Sequence, residues 1–275
     1  MNKLYSIISI VLFTILFNYS FGQTVLWTED FGTGTSTAST YTGANGSWTV
    51  SNTGLNGTES NIWYVSGEEC GNAATVCGSV CSGGDASLHL GASATFGGDG
   101  GAAYAAGGGG FFAIETDQRV ESPVIDMTGQ SNLTLNFNYL EDIVGQAGYD
   151  PNDDATLWYF DGVAWAQLDP LTVTAAGCDP QGTWTAFSIA LPASADNNAN
   201  IKIGFRWVNN DDNVGTDPSF AVDDIQITTP AGAISVTASY TQDIPSPICE
   251  GTTVTFTDAS SATGTTINSW AWTFN

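Results

Sequence analysis

Apolar and polar positions alternate with a period of two along much of this chain, the pattern of half-buried strands. Leu133, Leu135, Phe137 and Tyr139 share one side of such a run, with Thr134, Asn136 and Asn138 on the other. Ile201, Ile203, Phe205 and Trp207 stand in the same way opposite Lys202, Gly204 and Arg206. Trp158-Tyr159-Phe160 and Val163-Ala164-Trp165 flank Asp161-Gly162, which predicts a hairpin with a tight turn. Further strands are predicted near 24–31, 47–51, 61–66, 86–90, 120–125, 184–191 and 220–228. No stretch has the apolar spacing of a sustained helix. Many amphipathic strands with turn-rich joints predict an all-β chain whose main body, residues 23–229, is a jelly-roll β-sandwich.

A break falls at Thr229-Pro230-Ala231-Gly232, and new strand patterns follow through Ile234, Val236, Ala238, Val254 and Phe256. Trp270, Trp272 and Phe274 then lie on one face of a last strand. So short a segment cannot close a sandwich by itself. The expectation for 230–275 is the first half of an immunoglobulin-like domain, with the remainder beyond residue 275.

The first 22 residues have a different character. Lys3 precedes the apolar run Ile7–Phe17, and Ser20-Phe21-Gly22 supplies small residues for cleavage before Gln23. That run falls well short of the ~20 apolar residues that span a bilayer. A cleaved signal peptide is therefore expected, with no membrane insertion of the mature chain.

Composition sharpens the picture. With Lys3 removed, Arg119, Lys202 and Arg206 face all 28 carboxylates. Such a surface repels phosphate backbones and anionic lipid, which argues against nucleic acid or bare membrane as partners. Salt bridges cannot neutralise it, so hydration, salt or oxygen-ligated Ca²⁺ must. Solubility in a salty medium would explain the acidity equally well. Nine Trp, nine Tyr and fourteen Phe provide ample core material, which excludes disorder. Five cysteines, Cys70, Cys77, Cys81, Cys178 and Cys249, are expected to form disulfides in an exported chain, in a pairing that their spacing leaves open. Cys249 is the odd one, and its partner is expected past residue 275. The glycines of 97–110 lack the following helix and Lys of a phosphate loop and read as a flexible surface loop.

Two resemblances carry the functional expectation. Ile248-Cys249-Glu250-Gly251-Thr252-Thr253-Val254-Thr255-Phe256-Thr257-Asp258 and Ser269–Phe274 resemble the first half of a PKD domain, a sandwich common in bacterial surface proteins. The larger domain resembles jelly-roll modules of the MAM and cleaved-adhesin type. Trp27-Thr28-Glu29-Asp30-Phe31, Glu121-Ser122-Pro123-Val124-Ile125-Asp126 and Phe220-Ala221-Val222-Asp223-Asp224-Ile225 carry it. The resemblance implies a secreted or cell-surface adhesin-like protein, non-catalytic, binding an extracellular glycan or protein ligand, often with structural calcium. It also implies export by the type IX route. The alternative is the non-catalytic N-terminal region of a larger secreted hydrolase, a peptidase or polysaccharide-degrading enzyme.

Parity suggests where an ion could bind. Trp27 and Phe31 should point inward and Glu29 with them; Ile225 and Ile227 should point inward and Asp223 with them. Two inward carboxylates on neighbouring strands need a cation or dense hydrogen bonding. A structural Ca²⁺ held by Glu29, Asp223 and backbone carbonyls, with Asp30 as a further ligand, is one expectation. Hydrogen-bonded strand-end carboxylates are the other. In Asp211-Asp212-Asn213-Val214-Gly215-Thr216-Asp217, oxygens of Asp211, Asn213 and Asp217 recur at even spacing around a glycine, as in calcium loops. A polar turn is the alternative there, and Asp150-Pro151-Asn152-Asp153-Asp154 is a weaker case. Hydrolase chemistry finds less support. His89 is the one histidine and is expected to point outward, and Asp117 with Glu121 only loosely matches a glycosidase carboxylate pair. Trp48, Trp63, Trp158, Trp165 and Trp184 are the tryptophans considered for stacking on sugars.

Overall fold

The computed structural model describes residues 22–33, 41–69, 85–92, 100–108, 113–141, 147–174, 182–232, 235–244, 253–263 and 267–271. The predicted signal up to Phe21 and all five cysteines lie outside these residues. The described elements are strands apart from one short 3₁₀ turn at Ala193–Ala195. Two compact units are present, one spanning Gln23–Pro230 and one containing Ala231–Asn275.

In the larger unit the strands are β1 (Gln23–Glu29), β2 (Tyr41–Gly43), β3 (Gly46–Asn52), β4 (Ile62–Ser66), β5 (Ser87–Gly91) and β6 (Thr116–Glu121). They continue as β7 (Thr134–Glu141), β8 (Asp154–Phe160), β9 (Trp165–Asp169), β10 (Thr185–Ala190), β11 (Lys202–Asn209) and β12 (Phe220–Pro230). Two six-stranded sheets result. One runs β10-β7-β12-β5-β4 with β1 also on β12, and the other runs β2-β3-β6-β11-β8-β9. Alternation drives this directly: Leu135, Phe137 and Tyr139 of β7 meet Ile203, Phe205 and Trp207 of β11 in one core, while their sequence neighbours face outward. This is the all-β sandwich expected from the pattern.

Three local expectations need correction. The strand expected at 120–125 occupies Thr116–Glu121 instead, because its inward positions Thr116 and Gln118 are polar and give no apolar alternation to read. The predicted hairpin forms, but Phe160 pairs with Trp165 across four loop residues rather than two. Asp161 closes that loop by accepting the amides of Val163 and Ala164, both at 2.8 Å. Part of the glycine-rich segment is packed: Ala102 is buried, and Tyr104 lies edge-on to Trp207 with centroids 5.1 Å apart.

The smaller unit contains β13 (Ser235–Thr237), β14 (Tyr240–Gln242), β15 (Phe256–Asp258) and β16 (Ser261–Thr263). β13 pairs with β16 and β14 with β15, both antiparallel.

Phe220 anchors the sandwich core. Its ring centroid lies 5.3 Å from Phe205 of the facing sheet, 5.9 Å from Trp63 and 6.1 Å from Tyr139. Truncation there leaves a cavity that the three neighbouring rings cannot refill. Phe220→Ala is expected to lower unfolding free energy by about 3–5 kcal/mol, read by guanidinium denaturation. Val163→Ala, on the exposed hairpin loop, is expected to leave it within about 0.5 kcal/mol.

Candidate functional site

β12 changes partner along one of its sides. Ala221 and Val222 pair with His89 and Leu88 of β5, whereas Ile225 through Pro230 pair with Glu29 back to Gln23 of β1. Asp223 and Asp224 fill the interval between the two partners. There the ladder to β7 also loses register, between Asp223 and Gln226, and Asp224 takes a left-handed φ of 53°. The bulge re-aims the strand: Val222 and Ile225, three residues apart, both enter the same core. Simple parity therefore placed Asp223 on the wrong side. It is nevertheless fully buried.

Two chain segments close this junction. After β1 the chain turns at Phe31, with φ 52°, and Gly32 accepts the Ala86 amide at 3.1 Å while Thr33 bridges to Asp85. Asp30 accepts the Gly32 amide at 3.1 Å. The carboxylates of Asp30, Asp85 and Asp224 thus lie within electrostatic reach of Asp223.

Glu29 and Asp223 fare differently. Glu29 Oε1 accepts the Phe31 amide at 3.2 Å and the Tyr41 hydroxyl at 3.5 Å, and Oε2 accepts the Trp48 indole N–H at 3.3 Å. Burial raises its carboxyl above the ordinary range, and those donors hold it back. Gly43 is needed beside it, since a Cβ there would lie 2.7 Å from Glu29 Oε2. Among the described residues neither oxygen of Asp223 has a well-formed hydrogen bond, and the Asp224 amide lies near enough only to temper its carboxyl. Burial first, then the neighbouring carboxylates, pushes its carboxyl up to about 9. A buried acceptor left without a donor costs about 1–3 kcal/mol, and more when charged. Asp223 needs a proton or a cation. Among the described residues no three His, Cys, Asp or Glu side chains gather as a ready metal-ligand set. A cation here could be held by Asp223 with Asp30, Asp85 or Asp224, and by backbone carbonyls and water. Asp85 and Asp224 were not foreseen from sequence. The first enters only through the crossing after β1, the second only through the bulge.

The other predicted calcium loop is engaged elsewhere. Asp211 Oδ1 accepts the Gly108 amide at 3.2 Å and Asp217 Oδ1 the Tyr104 amide at 3.0 Å, while the Asn213 amide donates to Ala106 O at 3.2 Å. These three residues stitch the 211–217 loop onto 104–108.

All three basic residues of this unit lie on the outer face of the second sheet. Arg206 forms two 2.7 Å hydrogen bonds to Asp117, Arg119 bonds Glu121 at 2.9 Å, and Lys202 approaches Glu121 at 3.6 Å. Burial alone would raise the Asp117 carboxyl, but Arg206 and Thr53 outweigh it and hold it below the ordinary range. Arg119 lies 4.0 Å over the Trp165 ring and 5.6 Å from Trp158. Trp48, Trp63 and Trp184 are buried, which leaves Trp158 and Trp165 half-exposed among the tryptophans considered for sugars. His89 takes the face of β5 opposite the core residues Leu88 and Leu90, as expected, but is fully buried there, its nitrogens 3.3 Å from the Ser66 hydroxyl and 3.2 Å from that of Ser87. β5 is buried on both faces, so alternation could not tell that His89 would be covered.

A groove of about 410 Å³ crosses the outer face of β10, β7 and β12. Asn136, Asn138, Ser188, Asp224 and Gln226 line it. Ser188 and Gln226 flank Asn136 in register, and Asn138 donates to Asp224 at 3.1 Å. The groove therefore begins at the bulge.

Neither a protein-family model nor a curated protein matches the chain. Among solved structures it is similar to two cleaved adhesin domains of Lys-gingipain from Porphyromonas gingivalis W83. Identities are 16% and 15% over 74% of this chain, covering 97% and 98% of theirs, with TM-scores of 0.38 and 0.37.

The buried acids set a pH dependence. Asp223 moves from 3.8 to about 9 on folding, and Glu69, buried, from 4.5 to about 7. Between those limits the folded chain holds protons that the unfolded chain has released, so stability falls as pH rises. In chelator, the melting temperature is expected to decline from pH 5 to pH 9. Asp223→Asn should flatten the upper part of that slope, measured by calorimetry.

Proposed function

We propose that Gln23–Pro230 is a non-catalytic, adhesin-like binding module of an exported, surface-displayed protein, with Ca²⁺ at the β12 partner switch. The observation that carries this reading is the continuity of bulge and groove. Asp224 lines the groove, and Asp223, just before it in the chain, is a buried carboxylate with neither oxygen hydrogen-bonded among the described residues. An ion drawn to Asp223 would fix the bulge and with it one wall of the groove. A hard dication suits the site, because the candidate ligands are all oxygen.

The groove favours a hydroxyl-rich ligand. Its carboxamides and hydroxyl offer donors and acceptors on a rigid sheet, the kind of surface that reads the edges of a sugar. An extracellular glycan is therefore the first ligand class, and a protein presenting polar side chains the second. Export rests on the Lys3 and Ile7–Phe17 pattern, and the PKD-like reading of 230–275 on its motif residues. The sorting expectation of type IX secretion belongs to the same reading.

The test is a glycan array probed with the full chain in calcium and again in chelator. Binding is expected in calcium, with a roughly tenfold or greater loss in chelator and in the Asn136→Ala, Gln226→Ala double variant. Retention of full binding by that variant would remove the groove from the proposal. A melting temperature indifferent to calcium in the wild type would remove the ion.

A further inference from the structure

A second set of buried oxygens lies away from β1, around the turn that precedes β8. Asp150 is 3% exposed. Its Oδ1 accepts the Asn152 amide at 2.9 Å and the Asn152 side-chain nitrogen at 2.8 Å, which shapes the turn. Its Oδ2 is buried with no donor among the described residues. Asn209, at the end of β11, is fully buried. Its Nδ2 donates to Asp153 Oδ2 at 3.1 Å, which fixes the amide orientation and leaves Oδ1 buried, again with no donor among the described residues.

Asp153 joins the two. Its backbone amide donates to Asp150 O at 3.2 Å, and its Oδ1 accepts the Asn210 amide at 3.1 Å. Its Oδ2 also accepts the Tyr104 hydroxyl at 2.7 Å. Burial raises its carboxyl in spite of these donors, and the Asp150 charge adds to the rise. Further negative charge is close in the chain: Asp154 opens β8 and is hydrogen-bonded to Glu141, whose Oε1 accepts the Ala155 amide at 2.7 Å. The basic side chains of this unit are all paired with Asp117 or Glu121 on the outer sheet face. Two donorless acceptor oxygens flanking a buried carboxylate ask for a positive, hard ligand.

We propose that the Asp150–Asp153 turn and the end of β11 form a second divalent-cation site, with Asp150 Oδ2 and Asn209 Oδ1 as ligands. Asp153 is its positioning residue, holding Asn209 and the turn in place. Water and backbone carbonyls complete the shell, so affinity should fall in the weak range of extracellular calcium modules. The site is separate from the ion at Asp223 and does not depend on it.

The test titrates the full chain with Ca²⁺ by calorimetry and with Tb³⁺ by luminescence excited through indole. Trp207 is two residues from Asn209 and in ring contact with Tyr104, so Tb³⁺ here should be sensitised. Asp150→Asn keeps the size and turn bonds of the side chain while removing its charge. It is expected to bind one Ca²⁺ fewer than wild type, to lose sensitised emission, and to melt no lower than wild type in chelator. Asn209→Ala removes the other ligand without touching the turn and should weaken the same event roughly tenfold or more. Asp223→Asn should keep the emission. Unchanged stoichiometry and calcium-induced melting shift in both Asp150→Asn and Asn209→Ala would mean a buried water, and would overturn the proposal. Calcium binding insensitive to Asp223→Asn but lost in Asp150→Asn would sink the ion at the partner switch and uphold this one.

Discussion

Placement of the three basic residues of the large unit governs the state of its carboxylates. Arg119, Lys202 and Arg206 lie together on the outer face of one sheet, bound to Asp117 and Glu121, with Trp165 covering Arg119. Gly204 makes that cover possible, since a Cβ there would lie 2.9 Å from both Arg119 Cδ and Trp165 Cζ3. Every other buried acid must find neutral donors, keep a proton or attract an ion. Glu29 takes the first course with an amide, an indole and a phenol. Asp223 has no such donors among the described residues, and its carboxyl is pushed up to about 9.

The partner switch of β12 explains why Asp223 is where it is. One long strand serves β5 at its start and β1 at its end, and no single register can satisfy both. The two-residue interval absorbs the mismatch as a bulge, with Asp224 in the left-handed region that short polar side chains tolerate. Fold closure and the unsatisfied carboxylate are thus one event. The groove across β10, β7 and β12 starts at the same bulge, so a ligand there would register any change at Asp223.

Legibility followed the local chemistry. β7 and β11 were plain, because one face of each is apolar and the other mostly polar. β6 was read too late in the chain, since Thr116 and Gln118 carry no apolar signal. His89 does take the face away from Leu88 and Leu90, but it is buried there because β5 is covered on both faces. Glu29, Asp30 and Asp223 do come to one junction, as the adjacency of first and last strands suggested. The parity argument for Asp223 failed there, because alternation assumes an unbroken strand. Asp211, Asn213 and Asp217 have the spacing of ligands yet bond the 104–108 backbone, a partner no local pattern announces.

By itself the sequence determined the class of the fold: period-two burial on many short segments admits sheets and little else, and an aromatic-rich inward face compels two sheets to meet. It also determined that cations are scarce, which follows from counting. Only the tertiary structure decided which carboxylates would be left without donors. That outcome depends on which strands become neighbours and where a register must break, and both are set by packing between residues far apart in the chain.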